Sequence, residues 1–378
     1  MKTTPVGGSL DDWRLIERLL PPGWEAQARA LGALRRARGV ADAGTLLRVL
    51  LVHLADGCSL AETVLRAARA GWCRISVVAL IKRLRAAEHW LNWICQGLWQ
   101  QRGRRAVELG RCVRVVDSTM VVEGGPTGSR WRIHYSLNLA DLRCDFFELT
   151  DQSVGESLAR FPVRRGDLLI GDRGLCRTRG IAQVLRRGGH VLGRVQPGNL
   201  PLFDGQGRPL RPLARVRRLA IGAPQEWPAW IQPEGQRPCA GRLIAIRRSK
   251  RAIELARRRA RIKAREHERP VSAAALAAAA FVFLWTDLPP TQLSTTAALE
   301  WYRLRWQIEL AFKRDKSLLG LGQLPKRNAN SSRAWLHGKL LVALLVERLI
   351  AEADALSPWG YPLAPATQPL ARNALDGS

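Results

Sequence analysis

The sequence lacks the features of several classes of protein. Its seven cysteines are widely scattered and never form a Cys-x-x-Cys pair, so reduced thiols are expected instead of a disulfide framework or structural zinc site. The longest apolar stretch, residues 271–285, is too short and alanine-rich to span a bilayer. Asp11 and Asp12 stand where a signal peptide would have its hydrophobic core. No glycine-rich phosphate loop occurs, which argues against a nucleotide cofactor. These absences predict a soluble, cytoplasmic protein with no membrane partner.

Acidic residues are also few compared with basic ones. The chain has 32 Asp and Glu against 60 Lys and Arg, a formal net charge of +28. Its pI is about 11.3. A charge this one-sided indicates a polyanionic partner, and nucleic acid is the leading candidate. The length of 378 residues exceeds what one compact core usually covers, so two or three domains are expected.

Residues 1–108 are predicted to form an N-terminal helical, DNA-binding domain. Residues 46–54 are apolar and periodic, and Ser59 with Glu62 forms a capping box that opens the next helix. Gly71 then separates this helix from another that carries Lys82 and Arg83. Helix, turn and basic helix resemble a helix-turn-helix, although a plain helical bundle fits the pattern equally well.

The next segments predict an α/β protein with a ribonuclease-H-like mixed sheet core. Residues 109–188 read as three strands, a helix, a strand and a helix, with a further strand at 191–195. Residues 189–275 form a very basic insertion, in which the run 250–265 is either a DNA contact or only a solvated helix. Residues 276–355 resume the core with a strand at 281–286 and a long helix. Residues 356–378 are predicted to be a flexible tail.

The long helix carries the most informative pattern in the chain. Tyr302, Arg305, Glu309 and Lys316 are spaced so that, at about 100° per residue, they fall within an arc of about 60°. A carboxylate on such a face suits a hard cation, and the flanking cations suit phosphate oxygens. The pattern therefore indicates a surface that holds a metal and a nucleic-acid backbone together.

Two further carboxylates, Asp117 and Asp172, are predicted at strand ends. With Glu309 they provide the acidic oxygens that a two-metal phosphoryl-transfer site requires. A nucleic-acid diester is the expected substrate. Asp145 or Asp167 could take the second position instead, and taken alone Asp117 could be a capping acid and Glu309 half of a surface ion pair.

Three blocks of residues carry a resemblance to a known family. They are 116–119 around Asp117, 171–174 around Asp172, and the spaced set Tyr302, Arg305, Glu309 and Lys316. They resemble the catalytic blocks of bacterial insertion-sequence transposases of the DDE class, in the group whose signature is called YREK, the insertion-sequence family four type. Leu175 departs from this pattern, in which an aromatic residue usually stands at that position.

The resemblance implies both a fold and a chemistry. A mostly β insertion would interrupt the ribonuclease-H-like core, and Asp117, Asp172 and Glu309 would bind two Mg²⁺ or Mn²⁺ ions. Members of the family bind double-stranded DNA at terminal inverted repeats as homodimers, cut it, close and reopen a hairpin, and join the ends to target DNA. Such a protein would be associated with the nucleoid when bound to DNA.

The resemblance also implies roles for residues beside the acids. Tyr302, Arg305 and Lys316 would hold the phosphates of the bent DNA end, while Trp306 and Trp285 would stack on a flipped base. Both tryptophans are alternatively core residues. Two other functions stay open: a domesticated or decayed transposase that only binds DNA, and a related nuclease that cuts without joining.

Overall fold

The structure is a computed structural model, and it describes residues 13–101, 111–123, 130–266, 268, 270–321, 323–325 and 328–355. The predicted boundary at residue 108 and the predicted tail, 356–378, lie outside the described residues. The described chain divides into two compact units, one formed by residues 13–101 and 328–355 and the other by residues 111–325. No described helix is long and apolar enough to cross a membrane.

The first unit consists of helices. They are α1 (Trp13–Leu19), α2 (Trp24–Ala30), α3 (Ala43–Ala55), α4 (Leu60–Arg69), α5 (Val77–Ala86), α6 (Glu88–Gln101) and α13 (Ala329–Ala355). Side-chain oxygens cap three of them, because Asp42, Ser59 and Ser76 accept backbone N–H groups at the starts of α3, α4 and α5. The predicted capping residue Ser59 therefore opens a helix as expected.

The last helix of this unit was predicted to be part of the sheet domain. Instead, α13 packs on α3, α5 and α6. Gly338 explains how closely it approaches α3, since a Cβ at this position would lie only 2.4 Å from Leu54 Cδ1. Contacts between residues far apart in sequence thus decide which unit α13 joins.

The second unit is built on a mixed sheet. Its strands are β1 (Val113–Glu123), β2 (Arg130–Asn138), β3 (Arg143–Asp151), β4 (Leu168–Gly171), β5 (His190–Val195), β6 (Pro224–Pro228), β7 (Arg242–Arg247), β8 (Phe281–Thr286) and β9 (Gln323–Leu324). The strand order is β3-β2-β1-β4-β5-β8-β7-β6, and β9 pairs with β1. The strands β1, β4 and β5 are parallel, while the other pairs on this path are antiparallel. The fully buried β4 lies at the centre, as expected for a parallel strand covered on both faces.

Helices and turns connect these strands. They are α7 (Thr178–Arg186), α8 (Pro212–Arg215), α9 (Lys250–Glu266), α10 (Ala273–Ala278), α11 (Thr295–Arg303) and α12 (Trp306–Leu318). The predicted helix around residues 154–160 is only a 3₁₀ turn, Leu158–Arg160. The segment predicted as an insertion contains both strands and helices: β6 and β7 extend the main sheet through β8, and α9 has 17 residues.

The predicted long helix is interrupted between α11 and α12. The backbone N–H groups of Arg305, Gln307 and Ile308 bond to carbonyls three residues back, as in a 3₁₀ turn. The residues at the interruption, Leu304 and Arg305, keep right-handed helical backbone angles. The interruption is therefore a local tightening of the helix, with no proline or glycine to cause it.

Candidate active site

Two acidic residues are brought together by the parallel pairing of β1 with β4. Val116 is in register with Gly171, so the next residues, Asp117 and Asp172, are neighbours across the two strands. Their positions differ in one respect from the prediction. Asp172 follows the end of β4, whereas Asp117 lies inside β1, which continues beyond β4 in pairing with β2. Both side chains keep part of their surface exposed, 24% for Asp117 and 32% for Asp172.

The two aspartates have different electrostatic surroundings. Burial raises the pKa of Asp117 to about 6, although the Ser118 backbone N–H, 2.8 Å from its Oδ1, and Arg305 oppose the shift. Burial also acts to raise the pKa of Asp172, but the backbone N–H of Arg173 and the guanidinium groups of Arg194 and Arg305 outweigh it and lower the pKa. The site thus pairs a carboxylate whose pKa is lowered by its donors with one whose pKa is raised by burial.

Side chains at the interruption between α11 and α12 contact both aspartates. The hydroxyl of Tyr302 donates a hydrogen bond to Asp172 Oδ1 at 3.2 Å. Burial raises the pKa of Tyr302, so the phenol keeps this proton. Arg305 Nη2 donates to Glu309 Oε1 at 2.6 Å, and its Nη1 lies 3.8 Å from Asp117 Oδ2. One guanidinium therefore stands between two of the three predicted acids.

The remaining predicted residues lie in different surroundings. Lys316 is half-buried on α12 and makes no ion pair with any residue that the structure describes. Trp306 is 48% exposed at the start of α12, where it is accessible to a ligand. The suggested base-stacking role of Trp285 is wrong. Its side chain is 0% exposed in the core of the sheet unit, and its indole N–H donates to the carbonyl of Ala229.

The two acids that could take the place of Asp172 in the site pair with a buried arginine. Asp145 and Asp167 both lie near the fully buried Arg114, at 2.7 Å and 3.9 Å between the charged atoms. A buried guanidinium requires such partners, because an unpaired buried charge is strongly destabilising. This pairing explains both acids without catalysis and leaves Asp172 as the candidate for the second acid.

Comparison with known proteins identifies the family. The family model described as a transposase DDE domain matches residues 150–345. The putative transposase InsL for insertion sequence element IS186A, from Escherichia coli strain K12, is 33% identical over 350 residues, which cover 90% of this chain and 95% of the relative. The transposase for insertion sequence element IS421 of Escherichia coli is 33% identical over 351 residues with the same coverage. The chain belongs to the DDE transposase family.

The mixed α/β architecture of this transposase fits a ribonuclease-H-like DDE domain. Asp172, Tyr302, Arg305 and Glu309 lie within the matched region, and Asp117 precedes it. DDE domains generally use divalent metal ions. Among the described residues, no three acidic, histidine or cysteine side chains are close enough to hold one.

The donors of the transposase nonetheless fit a divalent cation. Asp117 and Asp172 offer hard oxygen ligands on neighbouring strands, and the raised pKa of Asp117 indicates a carboxylate that a nearby cation would stabilise. Glu309 is 52% exposed and is held by Arg305. To join the aspartates around a metal, Glu309 must exchange that guanidinium for the ion.

Two residues of the site were not found from the sequence. Arg194 of β5 lies 3.9 Å from Asp172 Oδ1, and Glu156 accepts a hydrogen bond from the hydroxyl of Ser118 at 2.6 Å. Arg194 lies in a strand without a motif, and Glu156 lies in an irregular turn after β3. Neither position carries a periodic signal, so only the folded structure brings them to the aspartates.

Proposed function

We propose that this transposase cuts DNA at the terminal inverted repeats of its own element and joins the ends to target DNA by metal-dependent phosphoryl transfer. Its metal-binding residues are Asp117, Asp172 and Glu309. Two Mg²⁺ or Mn²⁺ ions, when bound, supply activation of the attacking oxygen and stabilisation of the leaving oxygen. The observation that carries the proposal is the position of Arg305 between Asp117 and Glu309, beside the contact of Tyr302 with Asp172.

The proposal assigns the chain to the YREK group. Tyr302 and Arg305 contact the acids, and both have hydrogen-bond donors from which a phosphate oxygen can accept. Lys316 is assigned to the same phosphates, on the strength of the motif spacing. In this arrangement a phosphate that takes over Arg305 also frees Glu309 for the metal.

The proposal includes a hairpin intermediate on the transposon end. Leu175 replaces the usual aromatic residue, and its side chain is 1% exposed in the hydrophobic core. Trp306 supports the step, because its exposed ring lies one turn before Glu309 on α12 and can stack on a base. We assign the stacking role to Trp306 alone.

DNA binding is assigned to surfaces outside the acids. Helix α9 buries only Ile253, so its many arginines face solvent and can contact phosphates. In the helical unit, α5 follows a turn after α4 and exposes Val77, Val78 and Lys82, which suits a recognition helix for the inverted repeats. The active species is proposed to be a homodimer on DNA, working in the cytoplasm at the nucleoid.

The test uses duplex DNA that carries the inverted repeats flanking the reading frame. The wild-type protein should cut and join this DNA with Mg²⁺ or Mn²⁺, whereas Asp117→Asn, Asp172→Asn and Glu309→Gln should bind it without cutting. Glu234→Gln is the control, because Glu234 is exposed in the loop between β6 and β7. Binding without cutting by the wild type would favour the DNA-binding alternative, and cutting without joined product would favour a nuclease.

A further inference from the structure

One carboxylate that the proposed mechanism leaves unused, that of Glu156, bonds to the strand of Asp117 and lies beside the loop that follows Asp172. The hydroxyl of Ser118 donates to Glu156 Oε1 at 2.6 Å. The backbone N–H of the same serine donates to Asp117 Oδ1 at 2.8 Å. Ser118 therefore links the carboxylate of Glu156 to the carboxylate of Asp117, through two hydrogen bonds with acidic acceptors.

The second oxygen of Glu156 reaches the loop that bears Asp172. A Cβ built on Gly174 would lie 2.5 Å from Glu156 Oε2, which is closer than real Cβ atoms approach an oxygen. The φ angle of Gly174 is not in the left-handed region. A side chain at position 174 would therefore displace the end of the Glu156 side chain, while the backbone conformation there does not call for glycine. The side chain of Glu156 fills the gap between Ser118 and Gly174.

The turn that carries Glu156 is itself held in place. Arg132 Nη1 donates to the carbonyl of Val154 at 2.6 Å, and Arg160 Nε donates to the carbonyl of Gly155 at 3.2 Å. Two side chains therefore fix the backbone just before Glu156. A carboxylate on a fixed backbone can hold other groups in place, whereas one on a loose turn cannot.

We propose that Glu156 is a positioning residue. Its carboxylate contacts Ser118, next to Asp117, and the loop at Gly174, and these two contacts together are called the brace. The brace fixes the carboxylates of Asp117 and Asp172 relative to each other, so that both face one cation. This inference rests on the proposed metal-dependent function. Partners that orient metal ligands typically affect metal affinity or activity 10- to 100-fold when they are removed.

The experiment compares Glu156→Ala with Glu156→Gln, which keeps an oxygen that can accept from Ser118. Mn²⁺ binding to the DNA-free protein is measured by titration calorimetry, and cleavage of inverted-repeat DNA is measured against Mn²⁺ concentration. Glu156→Ala should weaken Mn²⁺ binding about 10- to 100-fold and lower kcat, with KM for DNA unchanged. Glu156→Gln should restore both close to wild type.

Glycine variants give an independent measurement. Gly174→Ala should displace the carboxylate and reproduce the Glu156→Ala defect, yet add little in the Glu156→Ala background. Gly155→Ala is the matched control, since a Cβ there meets nothing within 4 Å. The glycine variants and Glu156→Gln keep the test usable if Glu156→Ala fails to fold.

Three results would overturn the brace. They are wild-type Mn²⁺ binding by Glu156→Ala, equal defects in Glu156→Gln and Glu156→Ala, and additive defects of Gly174→Ala and Glu156→Ala. Equal defects would mean that the charge matters and not the hydrogen bond. If the wild type and the variants bind Mn²⁺ as expected but no DNA is cut, the brace stands and the proposed function fails.

Discussion

Replacing Arg305 with methionine should increase the affinity of the DNA-free protein for Mn²⁺. The guanidinium now lies 2.6 Å from Glu309 and 3.8 Å from Asp117, where it competes with a metal for the same carboxylates. Methionine keeps much of the side-chain volume and removes the charge. Both acids then keep their negative charge with one fewer cation beside them.

The expected gain in Mn²⁺ affinity depends on how exposed Arg305 and its two carboxylate partners are. Opposite charges 4 Å apart near a protein surface attract by about 4 kcal/mol at an effective dielectric constant of about 20. Because Glu309 is 52% exposed, solvent screening reduces its pair with Arg305 toward the ~0.2–1 kcal/mol that is typical of surface pairs. A metal must also displace the guanidinium from Asp117, which lies 3.8 Å from it and is less exposed than Glu309. We therefore expect Mn²⁺ to bind roughly five- to tenfold more tightly, which corresponds to about 1 kcal/mol.

The assay is titration calorimetry with Mn²⁺ at pH 8, well above the pKa of about 6 to which burial raises Asp117. Arg303→Met is the control, because Arg303 is exposed near the end of α11. The same Arg305→Met protein should cut inverted-repeat DNA more slowly, since it lacks a phosphate donor. Unchanged or weaker Mn²⁺ binding in Arg305→Met would refute the view that Arg305 occupies the place of the cation.

Three other predictions concern pH, the tryptophans and salt. Because the pKa of Asp117 is raised to about 6, cleavage should fall as the pH drops below about 6. Asp117→Asn should raise Tm at pH 8 but not at pH 4, where both side chains are neutral. Equal Tm shifts at both pH values would contradict this. Trp285→Ala should cost about 3–5 kcal/mol of stability in denaturant unfolding, whereas Trp306→Ala should keep its Tm and lose hairpin product in a gel assay. Neutralising the exposed Arg258 and Arg261 of α9 should reduce the slope of log affinity against log salt by about 0.9 for each lost phosphate contact, and an unchanged slope would remove α9 from the DNA interface.

The sequence predicted the acidic pair because short-range signals determine it. The buried segment 168–171 and the alternating segments around it read as strands, and Asp117 and Asp172 each follow an apolar run. Parallel pairing of such strands places both acids side by side. The length of β1 was not predictable in this way, since its second half pairs only with β2 and β9.

Other features depend on contacts that a local pattern does not contain. The interruption at Leu304 and Arg305 has no proline or glycine as a signal, so the spacing of the motif alone predicted a continuous helix. The place of α13 depends on packing against α3, α5 and α6, far away in sequence. For Trp285 a signal was present, because it lies in an apolar strand whose last four residues are buried.

The helix interruption changes what the motif spacing means. A continuous helix would put Tyr302 and Glu309 about 10 Å apart along its axis, on one line. In the structure the chain tightens at Arg305, and the side chains there meet separate partners: Tyr302 contacts Asp172, while Arg305 joins Asp117 to Glu309. The guanidinium of Arg305 therefore balances the acids of the site. In the proposed function, a phosphate that attracted Arg305 would release two carboxylates, and a metal that bound those carboxylates would release Arg305, so each ligand would prepare the site for the other. By linkage, the two affinities must rise by the same factor.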